Sequence, residues 1–260
     1  MTKTKKNKKN KNKKKKFKRS TCSPTRRLNR FTCYTDETLL SMKRRWNARH
    51  PDVVIKADTP REIWKNLKSY MGDVCETERC WLKQYFMKDN IDISLKNYTF
   101  APSAPASWKT NPNEWLNSLD IERVMKQWEM KYKNYQFIGP SPIDFDKKMA
   151  ENKCVWDELC NFSLSKSVNR GKNITGIIFN LDPHYKSGSH WVAMYIDFHK
   201  DLIFFFDSNG DPAPRQVKTL ADRIIHQGKE LSKNMQFVQN HPVEHQRGNT
   251  ECGIYTIYVI

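Results

Sequence analysis

The first twenty residues, MTKTKKNKKNKNKKKKFKRS, contain no acidic side chain and no apolar run. That lack excludes a secretory signal, which needs roughly 7–15 consecutive apolar residues behind its charges. No later stretch approaches the ~20 apolar residues of a membrane helix, so no membrane partner is expected. A regular cysteine framework is missing too: there are seven cysteines, an odd number, at uneven spacings. This argues for an intracellular reducing compartment rather than a disulfide scaffold. Cys75/Cys80 and Cys154/Cys160 fit zinc-ligand spacings poorly and no paired histidines accompany them, so no metal and no other cofactor is expected.

The chain has 260 residues, 38% of them hydrophobic and eight of them Trp, enough for one full domain plus an appendage. Its net charge of +18 is unevenly placed. Residues 1–20 hold eleven Lys and one Arg, and without them 34 bases face 28 acids. Such a tail repels itself and is expected to be disordered. It suits polyanions, nucleic acid among them, or serves only as a solubilising arm.

Residues 21–99 are expected to form a small helical unit. In ADTPREIWKNLKSYM, Thr59 and Glu62 have capping-box spacing, Pro60 takes the first helical position, and Ile63, Leu67, Tyr70 and Met71 recur on one face. Residues 35–46 and 80–87 read as flanking helices. The Pro/Ser/Ala-rich stretch 100–115 opens a second domain, 100–260, as a linker or extended wrap. Next comes a helical stripe of Ile121, Val124, Met125, Trp128 and Tyr132, with its aromatics assigned to core. ITGIIFNL (174–181), HWVAMYIDF (190–198) and DLIFFFDS (201–208) read as strands, the last two as an antiparallel hairpin. A helix near 215–231, a short strand MQFVQN and a final helix from Cys252 complete an α+β layout.

Alone, Cys252 reads as a buried small hydrophobe, since free cysteines are commonly buried. It also stands where the turn residues Gly248 and Asn249 give way to an apolar run, and a helix start lowers thiol pKa. His190 opens one hairpin strand and Asp207 closes the other, so the two can lie side by side, the carboxylate fixing the imidazole tautomer. Together these three outweigh their separate bland readings as core cysteine, capping histidine and turn aspartate.

The ordered set His190-Trp191, Asp207-Ser208, Gln246 and Cys252-Gly253 resembles the ubiquitin-like-protein (SUMO) protease family, which shares a fold with adenovirus protease. Trp115-Leu116-Asn117 is similar to the family's entry motif. IWKNLKSYM, CWLKQYF and FIGPSPIDFD resemble the thiol proteases of large DNA viruses. The resemblance implies a papain-like, adenovirus-protease-like core with an antiparallel-rich sheet. It implies Cys252 as nucleophile, His190 as general base then acid, Asp207 as its orienter and Gln246 as oxyanion donor. Asn209 is an alternative orienter. Trp191 would cover a narrow channel for a Gly-Gly substrate tail, with Trp115, Asn117 and Gly253 beside it. The implied activity is cleavage after Gly-containing motifs in viral precursors, in a virion or in host cytoplasm or nucleus. Alternatives are the release of host ubiquitin-like conjugates, or a non-catalytic basic nucleic-acid binder, for which no reading motif speaks. Because the family continues its nucleophile helix, the short run after Cys252 leads us to expect a truncated chain.

Overall fold

A computed structural model of the chain describes residues 17–26, 31–88 and 92–260. Most of the basic tail, residues 1–16, lies outside the described residues. The chain divides into two compact units, Met1–Ala101 and Pro102–Ile260.

The first unit is helical because its apolar residues recur at helical spacing behind good caps. Helix α1 (Asp36–Arg49) starts on the Thr35 side chain, and α2 (Pro60–Tyr70) starts on Thr59 with Pro60 in the first turn. Their inner faces, Leu39, Met42 and Trp46 against Ile63 and Leu67, are buried. The expected helix over 80–87 is instead two single turns, α3 (Glu78–Trp81) and α4 (Tyr85–Lys88). A further short helix, α5 (Ile93–Tyr98), is capped by Asp92. Trp81 is fully buried and stacks on Tyr34 at 5.9 Å.

In the second unit, α6 (Ser118–Lys131) leads into a five-stranded sheet. Its strands are β1 (Tyr135–Pro142), β2 (Ile174–Asn180), β3 (Trp191–Asp197), β4 (Leu202–Phe206) and β5 (Gln236–Gln239), ordered β1-β2-β3-β4-β5. The inner pairs β2/β3 and β3/β4 are antiparallel and the outer pairs parallel. A short α7 (Asp157–Cys160) and α8 (Leu164–Asn169) precede β2, and α9 (Arg215–Glu230) makes the crossover between β4 and β5. The last helix is α10 (Cys252–Val259).

The central strands are apolar at nearly every position because both sheet faces are covered. Alternate residues divide between two cores. Val192, Met194 and Ile196 of β3 with Ile203 and Phe205 of β4 pack with Val217, Leu220 and Ile224 of α9. Ala193 and Phe206 pack the other way, with Ile121, Met125 and Cys252. The nucleophile candidate therefore sits on the face that α6 and α10 cover.

Strand β1 is not among the strands the sequence suggests; despite Gly139, Pro140 and Pro142 it forms because it lies at the sheet edge, where proline costs no ladder bond. Two expectations are corrected. Trp128 and Tyr132 are not core: they are 38% and 50% exposed and stack on each other outside, while Ile121 and Met125 carry the buried face. The uneven cysteine spacing was also misleading, since six of the seven pair locally as Cys22–Cys33, Cys75–Cys80 and Cys154–Cys160. Local folding brings each pair's Cα atoms within 5.2–6.3 Å, inside bridging range. Cys252 alone is free.

Candidate active site

Cys252 is the first residue of α10, delivered there by a tight loop. The Glu251 carboxylate accepts from the backbone N–H of Arg247 at 2.9 Å and of Gly248 at 3.3 Å, closing that loop. Gly253 follows because the helix start presses on its neighbours: a Cβ there would stand 3.2 Å from Leu116 Cβ and 3.4 Å from Trp191 Cδ1.

Strands β3 and β4 pair with Ala193 opposite Phe206, so the start of one meets the end of the other. His190, just before β3, thereby reaches Asp207, just after β4, with Nε2 2.7 Å from Oδ1. The imidazole is 12% and the carboxylate 2% exposed. With Nε2 committed to Asp207, Nδ1 is the ring nitrogen left for the Cys252 thiol, whose pKa the imidazole lowers.

The electrostatics favour a charge-separated pair. Burial works against the imidazolium, but hydrogen bonds to Asp207 and Cys252, and the attraction of their negative charges, lift the His190 pKa from 6.5 to about 9. Burial likewise opposes the thiolate, yet the Cys252 pKa is lowered. Its causes are the His190 hydrogen bond, the backbone N–H of Trp191, the imidazolium charge and the backbone N–H of Gly253. The arrangement can therefore hold a thiolate beside an imidazolium.

Asn209 is not placed on His190. Its backbone N–H donates to Asp207 Oδ1 at 2.8 Å, and its side-chain oxygen accepts from Gln246 Nε2. Gln246 is buried, and its Oε1 accepts from the Ser208 hydroxyl at 2.7 Å. Two contributors escaped the sequence reading. In the sequence Ser208 stands out only as Asp207's neighbour in the motif Asp207-Ser208. Asn240, at the end of β5, pins Asp207 from both sides, accepting from its N–H at 2.9 Å and donating to its carbonyl at 2.7 Å. Nothing in the sequence marks Asn240, because its role depends on β5 lying beside β4.

A cavity of about 520 Å³ reaches Trp191, the residue next to His190. Trp115, Asn117 and Trp191 line it, with Trp156 and, from the β2–β3 loop, His184 and Gly188. Trp191 Nε1 donates to Leu116 O at 2.9 Å, tying the entry segment to β3. Asn117 caps α6 through a reciprocal capping box with Asp120. Cys252 is outside this lining and 1% exposed. Among the described residues no cluster of three or more His, Cys, Asp or Glu side chains could hold a metal ion.

Comparison with known proteins places this geometry. Residues 112–260 match the model of the Ulp1 protease family, C-terminal catalytic domain. A protein of Acanthamoeba polyphaga mimivirus described as a thiol protease is 27% identical over 225 residues, 86% of this chain and 72% of its own. The SUMO-1 cysteine protease of African swine fever virus is 26% identical over 218 residues, covering 77% of this chain and 78% of the relative. The crystal structure of the African swine fever virus protease superposes with a TM-score of 0.60 at 20% identity, over 93% of this chain and 86% of that one, a likeness of fold.

Proposed function

The chain belongs to the Ulp1 protease family, whose members are cysteine peptidases, and from that premise we propose that it is an endopeptidase cleaving after Gly-containing motifs in viral precursor proteins. The observation that carries the reading is the line from Cys252 through His190 to Asp207. Cys252 attacks the scissile carbonyl as thiolate, and His190 gives its proton to the leaving amine. Water then hydrolyses the acyl-enzyme with His190 as base. Asp207 keeps the imidazole oriented throughout. The oxyanion is met by the Cys252 backbone N–H and the Gln246 amide. Trp115 and Trp191, with Gly253 beneath, narrow the approach so that only glycine-sized residues pass next to the cleaved bond.

A second substrate class, ubiquitin-like conjugates, is favoured by one observation: the African swine fever virus relative is described as a SUMO-1 protease. Residues 1–20 supply a nucleic-acid contact, and the enzyme acts in a virion or in host cytoplasm or nucleus, with Cys252 kept reduced. The test is labelling by a Gly-Gly peptide and by a SUMO-like protein, each carrying a C-terminal electrophile. Wild type is labelled and Cys252→Ala is not. Preference for the peptide supports precursor processing, and preference for the protein supports the second class. Unchanged labelling of His190→Ala would contradict the assigned base.

A further inference from the structure

An amide side chain presents two donors on one end and an acceptor on the other, and half a turn about its last bond exchanges them. In an oxyanion site that exchange aims a lone pair at negative charge. The orientation of Gln246 therefore matters as much as its presence, and here both of its ends are held by one turn. The Ser208 hydroxyl donates to Oε1 at 2.7 Å, and Nε2 donates to Asn209 Oδ1. The backbone is locked as well: the N–H groups of His245 and Gln246 both donate to Ser208 O, at 2.8 and 3.0 Å. Ser208 is fully buried and Gln246 is 7% exposed, so water is a poor substitute for the Ser208 hydroxyl, while Asn209, an exposed residue, reaches Nε2 with its side-chain oxygen.

We propose that Ser208 and Asn209 are positioning residues that set the Gln246 amide with a donor toward the reacting carbonyl oxygen. One N–H of Nε2 engages Asn209, which leaves the second for the oxyanion. The same turn holds the base, since Asp207 carries His190 and the Asn209 backbone N–H supports Asp207. One tripeptide, Asp207-Ser208-Asn209, thus sets both the proton path and the charge-stabilising donor. The proposal rests on reading Gln246 as the oxyanion donor.

The experiment uses the full chain with a fluorogenic Gly-Gly peptide and reads kcat, KM, melting temperature and the pH profile of Cys252 alkylation by iodoacetamide. Asn209→Ala and Ser208→Ala are each expected to lower kcat about 10-fold or more with KM unchanged. Asn209→Asp leaves only an acceptor facing Nε2 and is expected to stay within a few-fold of wild type. The alkylation profile of Asn209→Ala should match wild type, because that side chain does not touch His190 and its backbone N–H is retained. Combining Asn209→Ala with Gln246→Ala should cost no more than Gln246→Ala alone. If Gln246→Ala keeps full kcat, the oxyanion reading itself fails. If Gln246→Ala loses kcat while Asn209→Ala and Ser208→Ala keep it, the positioning role fails. A loss in Asn209→Ala that Asn209→Asp does not restore, or that comes with a shifted alkylation profile, also overturns it.

Discussion

At the scale of the residue, the thiol–imidazole pair makes an opposed pair of pKa shifts, and the signs can be followed through. His190 is raised from 6.5 to about 9 and Cys252 is lowered, so the charged pair exists between the two folded values. Above about 9 the imidazolium loses its proton and the pair dissolves. Below the lowered thiol value the thiolate is quenched. Alkylation of Cys252 by iodoacetamide should therefore persist below the usual thiol range near 8.5, and activity should fall as pH rises through about 9. In Asp207→Asn the alkylation profile should move toward that of an ordinary thiol, and an unmoved profile would remove Asp207 from the pair. The linked stability has the same sense. A raised histidine stabilises the fold fully below its unfolded value of 6.5, and that contribution disappears as pH climbs through about 9.

At the scale of the element, two helix caps of similar chemistry separate structure from function. Thr59 caps α2 and Asn117 caps α6 through backbone N–H groups, and loss of such a cap costs about 1 kcal/mol. Thr59→Ala and Asn117→Ala should each lower the melting temperature by a few degrees. Only Asn117→Ala should also raise KM, since Asn117 lines the cleft; equal KM values for the two variants would detach Asn117 from substrate binding. The α2 cap was legible because Thr59, Pro60 and Glu62 are contiguous signals. Strand β1 was not, because its glycine and prolines spell a turn locally and only an edge position tolerates them. Trp128 and Tyr132 misled for the opposite reason: they share a helical stripe with the core residues, but the sheet covers only part of that stripe.

At the scale of the whole molecule, charge and catalysis are partitioned. Of 46 bases and 28 acids, Met1–Ala101 holds 27 and 10 and Pro102–Ile260 holds 19 and 18, so the first unit carries +17 and the catalytic unit +1. Polyanion binding should therefore follow the first unit. Removing residues 1–20, which hold twelve of those bases, should weaken binding to duplex DNA and flatten its salt dependence. It should leave kcat on a short neutral peptide unchanged. Equal DNA affinity and salt slope with and without these residues would sink the tail's role.

What the sequence determined alone was local in character: the basic tail, the capped helix that starts at Pro60 and the flanking helix over 35–46, the apolar strands and the turn-to-helix junction at Cys252. Each depends on residues that are neighbours along the chain. The hairpin that joins His190 to Asp207 was also within reach, because a short connection leaves antiparallel strands little choice of partner. Only the tertiary structure decided the rest. It paired six cysteines, set Asn240 behind Asp207, and turned Asn209 away from the imidazole and onto Gln246, 37 residues on. The cysteine pairs close over only 5 to 11 residues, yet each needs the local fold to bring its Cα atoms together. The Asn240 and Asn209 contacts depend on β5 and the loop before α10 returning beside β4, and chain neighbours carry no trace of such long-range packing.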